Sequence, residues 1–298
     1  MKRAFIQLHV AVFLAGFTAI LGKLITMNEG LLVWYRMIIT SLTLAVILYF
    51  RKQLVILSAR NVSMLLAVGT IIALHWVSFY GSIKYSNVSV SLTCLSAIGF
   101  FTSFLEPLFM RRRIDMVEIF LGMLAIAGIY LIFDFYPQYK LGILFGIISA
   151  LLASLFPIFN KKLLARFPAT TITLYEMCGG LIVLTFIMPF YLNYFPAKYF
   201  LPTVSDWCWL LVLAWLCTVF AFMLSLTALK KISPFTANLA YNLEPIYGIL
   251  LAFIIFHENK YLSQGFYYGL ALILLAVVLQ MARVYRKTIQ LRTKNGRK

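Results

Sequence analysis

The chain divides into ten apolar segments, and the second five resemble the first five. Five is odd, so a copied unit of five crossings enters the bilayer from the opposite side. Inverted repeats of that kind are a recurring architecture of secondary carriers, with the binding site near mid-membrane between the halves. The segments read at 5–25, 31–50, 62–83, 87–109, 116–133, 141–160, 170–191, 207–229, 233–256 and 263–283. Each is about 20 residues, the length a helix needs to cross the hydrocarbon core. The expected fold is an all-α integral membrane protein of ten transmembrane helices, arranged as two inverted five-helix repeats.

Composition agrees. Hydrophobic residues make up 63% of the 298 and charged residues 12%, too few charges to cover a water-soluble surface of this size. Almost nothing remains for a soluble domain. The longest connection, 193–206, carries Tyr194, Phe195, Tyr199 and Phe200, which suits a segment at the membrane interface. Lys2 and Arg3 precede a run too long for a signal-peptide core, so the first segment is expected to stay as a helix. Cys94, Cys178, Cys208 and Cys217 lie in or beside apolar segments without metal-ligand spacing and read as packing residues.

The net charge of +17 raises nucleic acid as a partner, but its distribution argues against that. With the N-terminus in the cytoplasm, twenty of the 26 Lys and Arg residues fall inside, five outside, and Arg36 within a segment. That is the positive-inside bias. It predicts a multi-pass protein of the cytoplasmic (inner) membrane with both termini cytoplasmic. The basic tail after Arg283 suits anionic headgroups.

A shift of 147 residues aligns Leu74–Ile132 with Ala221–Leu279 without a gap. Identities fall at Ser78/Ser225, Lys84/Lys231, Ser86/Ser233, Leu92/Leu239, Phe109/Phe256, Gly122/Gly269 and Ile126/Ile273. Helix ends, polar loops and glycines stay in register over three successive segments. The first two segments of each half align near a shift of 139 to 140, as at Phe17/Phe156 and Tyr35/Tyr175. The charge count puts Lys84 outside and Lys231 inside, so the repeat reads as inverted.

Trp34-Tyr35-Arg36 opens the second segment, and Phe79–Ser89 forms an aromatic helix end, a short turn and a small-residue start. Leu226–Ala237 repeats that passage, and Pro245 with the terminal His257-Glu258 completes a ninth helix. On these residues the chain resembles the drug/metabolite transporter superfamily, specifically EamA-type permeases of two five-helix units. The position equivalent to Pro245 in the first copy is Ile98, a departure from the pattern. The resemblance implies EamA-like repeats over 4–134 and 140–284, followed by a basic cytoplasmic tail at 285–298. It also implies a helical basket around a cavity that opens alternately to either side.

Ionisable groups at membrane depth are costly and therefore candidates for function. Glu244 lies halfway through the ninth segment within Asn238–Pro245. Pro245 is expected to kink the helix and free carbonyls near Ala240 and Tyr241 for a ligand. Asn238, Tyr241 and Asn242 share a face with Pro245 at helical spacing. Glu244 reads as a substrate-contacting or proton-accepting carboxylate, or as a structural one bonded to a neighbouring helix. His75, halfway along the third segment, precedes Trp76 and Tyr80. It reads as lining the cavity, where it titrates near neutrality beside aromatics that stack on a ligand, or as a packing histidine.

Arg36 and its approximate mate Glu176 fall near opposite mouths, where each latches a gate or snorkels to the interface. Arg36 also suits a carboxylate substrate through its fork. Glu106 lies one turn before Arg111-Arg112-Arg113 and reads as a local ion pair or a cytoplasmic gate. The small residues Ser89, Ser91, Thr93 and Ser96, with Gly16, Gly22, Gly122, Gly128, Gly142, Gly146, Gly248 and Gly269, read as helix packing.

A membrane enzyme needs a reactive constellation. The nine acidic residues form no DxxD, and HExxH, GxSxG and Walker motifs are absent. The expectation is a secondary permease without cofactor or metal, exporting an amino acid or related metabolite by alternating access, with possible proton coupling through His75 or Glu244. The alternatives are transport of a nucleoside, nucleotide sugar or sugar, efflux of aromatic cations and, remotely, a membrane-embedded enzyme.

Overall fold

The computed structural model describes residues 2–111, 113–135, 137–229, 240–241 and 243–295. Its first four helices are α1 (Lys2–Leu24), α2 (Glu29–Phe50), α3 (Ala59–Tyr85) and α4 (Val88–Leu95). They continue as α5 (Ile98–Met110), α6 (Met116–Phe135), α7 (Lys140–Leu163) and α8 (Ala169–Tyr194). Next, α9 (Val204–Leu211) runs through a π-helical stretch (Val212–Phe220) into α10 (Ala221–Leu229). After residues outside the described set come α11 (Glu244–Phe256) and α12 (Gln264–Asn295).

Among the described residues, counting α4 with α5 and α9 with α10, eight helical stretches are long and apolar enough to span a bilayer, and Met116–Ile132 and Glu244–Phe256 are shorter apolar helices. The ninth expected segment, 233–256, falls largely on residues outside the described set.

Short polar connections set the helix starts. Asn28 caps α2 by accepting from the Gly30 and Leu31 amides, and Asn87 caps α4 by accepting from Val90 N at 2.8 Å. Thr203 and Asp206 form a reciprocal capping box on α9. Segment four is not one continuous helix: it breaks at Ser96-Ala97 between α4 and α5. In the second half α11 likewise starts only at Glu244, and α5 and α11 each run 13 residues. Both end on a left-handed non-glycine residue, Arg111 and His257. Segment six, by contrast, stays a single helix through Pro157.

The distribution of polarity is that of a protein solvated by lipid. Phe120, Phe186 and Ile254 are exposed on the outside, while Thr40, Ser82, Ser89, Ser91 and Ser149 are buried to 0%. Hydroxyls face inward because a lipid-exposed polar group has no partner. Glycines set the closest approaches. A Cβ on Gly69 overlaps the Glu176 carbonyl, and one on Gly180 comes within 2.7 Å of the Gly69 carbonyl oxygen, so α3 and α8 touch backbone to backbone. Gly128 and Gly269 press on each other's carbonyls between α6 and α12. Gly16 and Gly248 also face each other between α1 and α11: a Cβ on Gly16 stands 3.1 Å from Gly248 N, and one on Gly248 stands 3.1 Å from the Gly16 carbonyl oxygen.

Candidate substrate site

Arg36, on the third turn of α2, is 3% exposed. Its Nε donates to Thr218 Oγ1 at 3.0 Å and its Nη1 donates to the Tyr80 hydroxyl at 2.8 Å. The guanidinium carbon stands 3.6 Å from the centre of the Trp76 ring. Local structure explains the convergence. Trp76 and Tyr80 are four residues apart and share one face of α3. Tyr80 is 0% exposed and nests on Gly22 of α1, where any Cβ would overlap its ring. Thr218 belongs to the π-helical stretch and donates five residues back to Leu213 O at 2.9 Å, the reach of that geometry. Among the described residues no carboxylate lies within ion-pair distance of Arg36. The structure thus places Arg36 in the packed interior of the bundle.

Glu244 is half-buried at the start of α11, and Gly16 of α1 packs on its backbone, a Cβ there standing 2.9 Å from the Glu244 carbonyl oxygen. Its carboxylate lies within electrostatic reach of both Tyr80 and Tyr241. Tyr241 donates to Ser225 Oγ of α10 at 3.1 Å. Pro245 sits in the first turn of α11 rather than kinking a helix interior, a place where its missing N–H costs nothing. The Ala240 carbonyl, expected to be free for a ligand, accepts from Leu243 N at 3.0 Å. Asn238 and Asn242 lie outside the described residues.

His75 has an internal partner. Its Nδ1 lies 3.0 Å from the Ser149 carbonyl and 2.9 Å from Ser149 Oγ on α7, and its ring packs between Phe79 and Phe156. The His75 and Trp76 side chains therefore point to adjacent faces of α3, and only Trp76 reaches Arg36. Glu106 Oε1 lies 3.5 Å from Lys161 Nζ. Glu176 is 0% exposed, and neither of its oxygens has a hydrogen-bond partner among the described residues.

One polar network was not legible in the sequence. At the bundle end where α1 finishes and α4 starts, Glu258 pairs with Lys23 at 2.7 Å. It also accepts from Val88 N at 3.1 Å, Ser89 N at 2.8 Å and Ser89 Oγ at 2.6 Å. At the same end, Asp206 accepts from Thr26 N at 2.8 Å and Tyr199 Oη at 2.8 Å, and Tyr191 donates to Glu29 at 2.5 Å. Asn28 donates to the Phe195 carbonyl at 2.9 Å, and Lys84 to the Ile25 carbonyl at 2.9 Å. All of these except the Lys84 bond, which stays within the first half, and the Tyr199–Asp206 bond, which stays within the second, tie the two halves together. The interfacial segment 193–206 is pinned here through Tyr199. The only advance signal was the acidic end of the ninth segment.

Two apolar cavities, about 200 and 100 Å³, lie beside Leu74, Phe145 and Tyr191 and beside Ser96, Pro245 and Leu270 respectively. Neither is lined by Arg36, Tyr80 or Glu244.

The sequence model of the EamA-like transporter family matches residues 2–134 and again residues 140–281. The chain is 26% identical over 273 residues to the uncharacterized transporter YetK of Bacillus subtilis, covering 86% of this chain and 80% of that protein. It is 24% identical over 202 residues to an uncharacterized transporter of Archaeoglobus fulgidus, covering 68% and 70%. A solved crystal structure superposes with a TM-score of 0.62 over 94% of this chain and 98% of its own, at 14% identity; that likeness concerns the fold alone. A family signature that runs through both halves, together with an inward-polar, outward-apolar bundle, makes the chain a multi-pass membrane protein of the EamA-like transporter family.

Proposed function

We propose that the protein is a secondary carrier that exports an amino acid or closely related zwitterionic metabolite across the cytoplasmic membrane by alternating access between two inverted halves. Its main support is Arg36, a buried cation held by two hydroxyls and an aromatic face and, among the described residues, by no carboxylate. Burying an unpaired charge is expensive, and a ligand carboxylate is the partner that a guanidinium fork accepts best. Across Tyr80, Glu244 offers the opposite charge to an amine. Trp76 and Tyr241 supply flat apolar surface for a side chain. In this mode the ligand carboxylate takes over the Tyr80 bond to Arg36, so binding rearranges the contact between α2 and α3. His75, held at Ser149, acts by fixing α3 against α7. The sequence holds no nucleotide-binding motif, so a gradient supplies the energy.

The test is a melting-temperature screen of the purified protein against amino acids, nucleosides, sugars and aromatic cations, since a ligand of the folded state raises the midpoint. Amino acids are expected to score. Arg36→Lys keeps the charge but loses the fork and the stacking, and should weaken the best hit by roughly tenfold or more. Hits confined to sugars or nucleosides, or an Arg36→Lys variant that binds like wild type, would refute the proposal.

A further inference from the structure

Glu176 takes no part in the cluster around Arg36, and its surroundings are of a different kind. It lies seven residues into α8, roughly 10 Å along the helix at 1.5 Å per residue. The seam of Gly69, Gly179 and Gly180 shuts α3 and α8 over it. The carboxyl is 0% exposed, and neither oxygen makes a hydrogen bond of regular geometry among the described residues. The Asn160 side chain of α7 lies within hydrogen-bonding reach of it, and the Asn160 Oδ1 is buried without a donor among the described residues.

Charged and titratable groups on the surrounding helices face elsewhere. On α2, Arg36 is turned to Tyr80 and Thr218. On α3, His75 is held at Ser149 and Arg60 is exposed. On α7, Lys161 reaches Glu106, and Lys162 donates to the Phe109 carbonyl. On α8 itself, Tyr175 donates to the Val55 carbonyl and Cys178 lies beside Ser41.

An ionised carboxylate in such a place is costly, because no cation among the described residues and at most the Asn160 amide repays its lost hydration. A neutral carboxyl removes that cost. Its O–H also provides the donor that an amide oxygen at Asn160 lacks, so one proton resolves two unsatisfied groups.

We propose that Glu176 is a proton-binding site of the transport cycle, protonated while the α3–α8 seam is shut and ionised when the helices part and water reaches it. The ligand is a proton, bound at the carboxyl and released to water on opening. No other bond forms or breaks. That role presupposes the carrier function proposed above, whereas the protonation itself is measurable without any substrate.

The experiment is infrared pH-difference spectroscopy on the full chain in phosphatidylcholine vesicles. At neutral pH the wild type should show the carbonyl band of a protonated carboxylic acid, part of which disappears in Glu176→Gln. Asn160→Leu should shift that same component, because it deletes the acceptor of the carboxyl proton. A Glu176→Gln spectrum identical to wild type overturns the proposal. Should Glu176→Gln not fold, the Asn160→Leu spectrum decides alone, and an unmoved band overturns it. A negative result leaves the carboxylate-binding role of Arg36 intact, since no substrate enters the measurement.

Discussion

Glu258 works as an N-cap supplied from a distance, and its removal should cost far more than removal of the lysine it pairs with. The residue is 4% exposed. Its two oxygens take Val88 N, Ser89 N and Ser89 Oγ at 2.6 to 3.1 Å, as well as Lys23. The two amides are first-turn donors of α4 with no intrahelical acceptor. Glu258→Ala leaves both amides buried and unsatisfied, at about 1–3 kcal/mol each, while the serine hydroxyl can rotate to another acceptor. The expected loss is about 3–4 kcal/mol.

Glu258→Gln keeps one acceptor oxygen and should lose roughly half as much. The Lys23 side chain is 37% exposed, so the pair itself contributes about 0–1 kcal/mol. Its ammonium also sits 4.4 Å from the Phe256 ring, which adds about 0.5 kcal/mol at such a site. Unfolding of the reconstituted protein, followed by intrinsic fluorescence of its five tryptophans, should therefore rank the variants Glu258→Ala, Glu258→Gln, Lys23→Ala in order of decreasing damage. If Lys23→Ala is as damaging as Glu258→Ala, the ion pair dominates and the capping argument is wrong.

Gly69→Ala drives a methyl into the backbone of α8 at Glu176, and neither backbone can yield, so a loss of about 3 kcal/mol or more is expected; folded yield and melting temperature would report it. Gly248→Ala meets mainly the tip of the Leu92 side chain, which can turn away, and should cost only about 1 kcal/mol. Single cysteines placed at Arg111 and Lys140 in a background lacking native cysteines should label from opposite faces with an impermeant thiol reagent. Cysteines added at the two termini should label from one face, and any other pattern ends the inverted-repeat proposal.

Much of the helical layout could be read in the residues. Apolar runs of spanning length gave most helices within a few positions, and the glycines read as packing positions are close-approach points: Gly16, Gly128, Gly248 and Gly269 all touch a neighbouring helix. The sequence shows Trp76 and Tyr80 only as aromatics near His75, and their approach to Arg36 comes from the packing of α3. The break of segment four at Ser96-Ala97 was harder to locate, because hydropathy is continuous across it and backbone geometry leaves no mark on composition. The seam at Gly69, Gly179 and Gly180 escaped notice for a related reason. A glycine is informative only relative to the helix opposite, and the pairing of α3 with α8 is not local information.

What the sequence by itself determined is a matter of solvent. A chain 63% hydrophobic, with most of its charges in the connections between apolar runs of helix-spanning length, satisfies its backbone in lipid as helices. What the tertiary structure decided is which polar groups meet. Arg36 could be placed along α2 from the sequence, but its partners could not: α3 turns Trp76 and Tyr80 toward it and a π-helical stretch brings Thr218 within 3.0 Å. Glu258 looked like a helix end and caps a helix 170 residues away. Depth along one helix is set by local length, whereas partners across helices depend on rotation and close approach, which no single segment encodes.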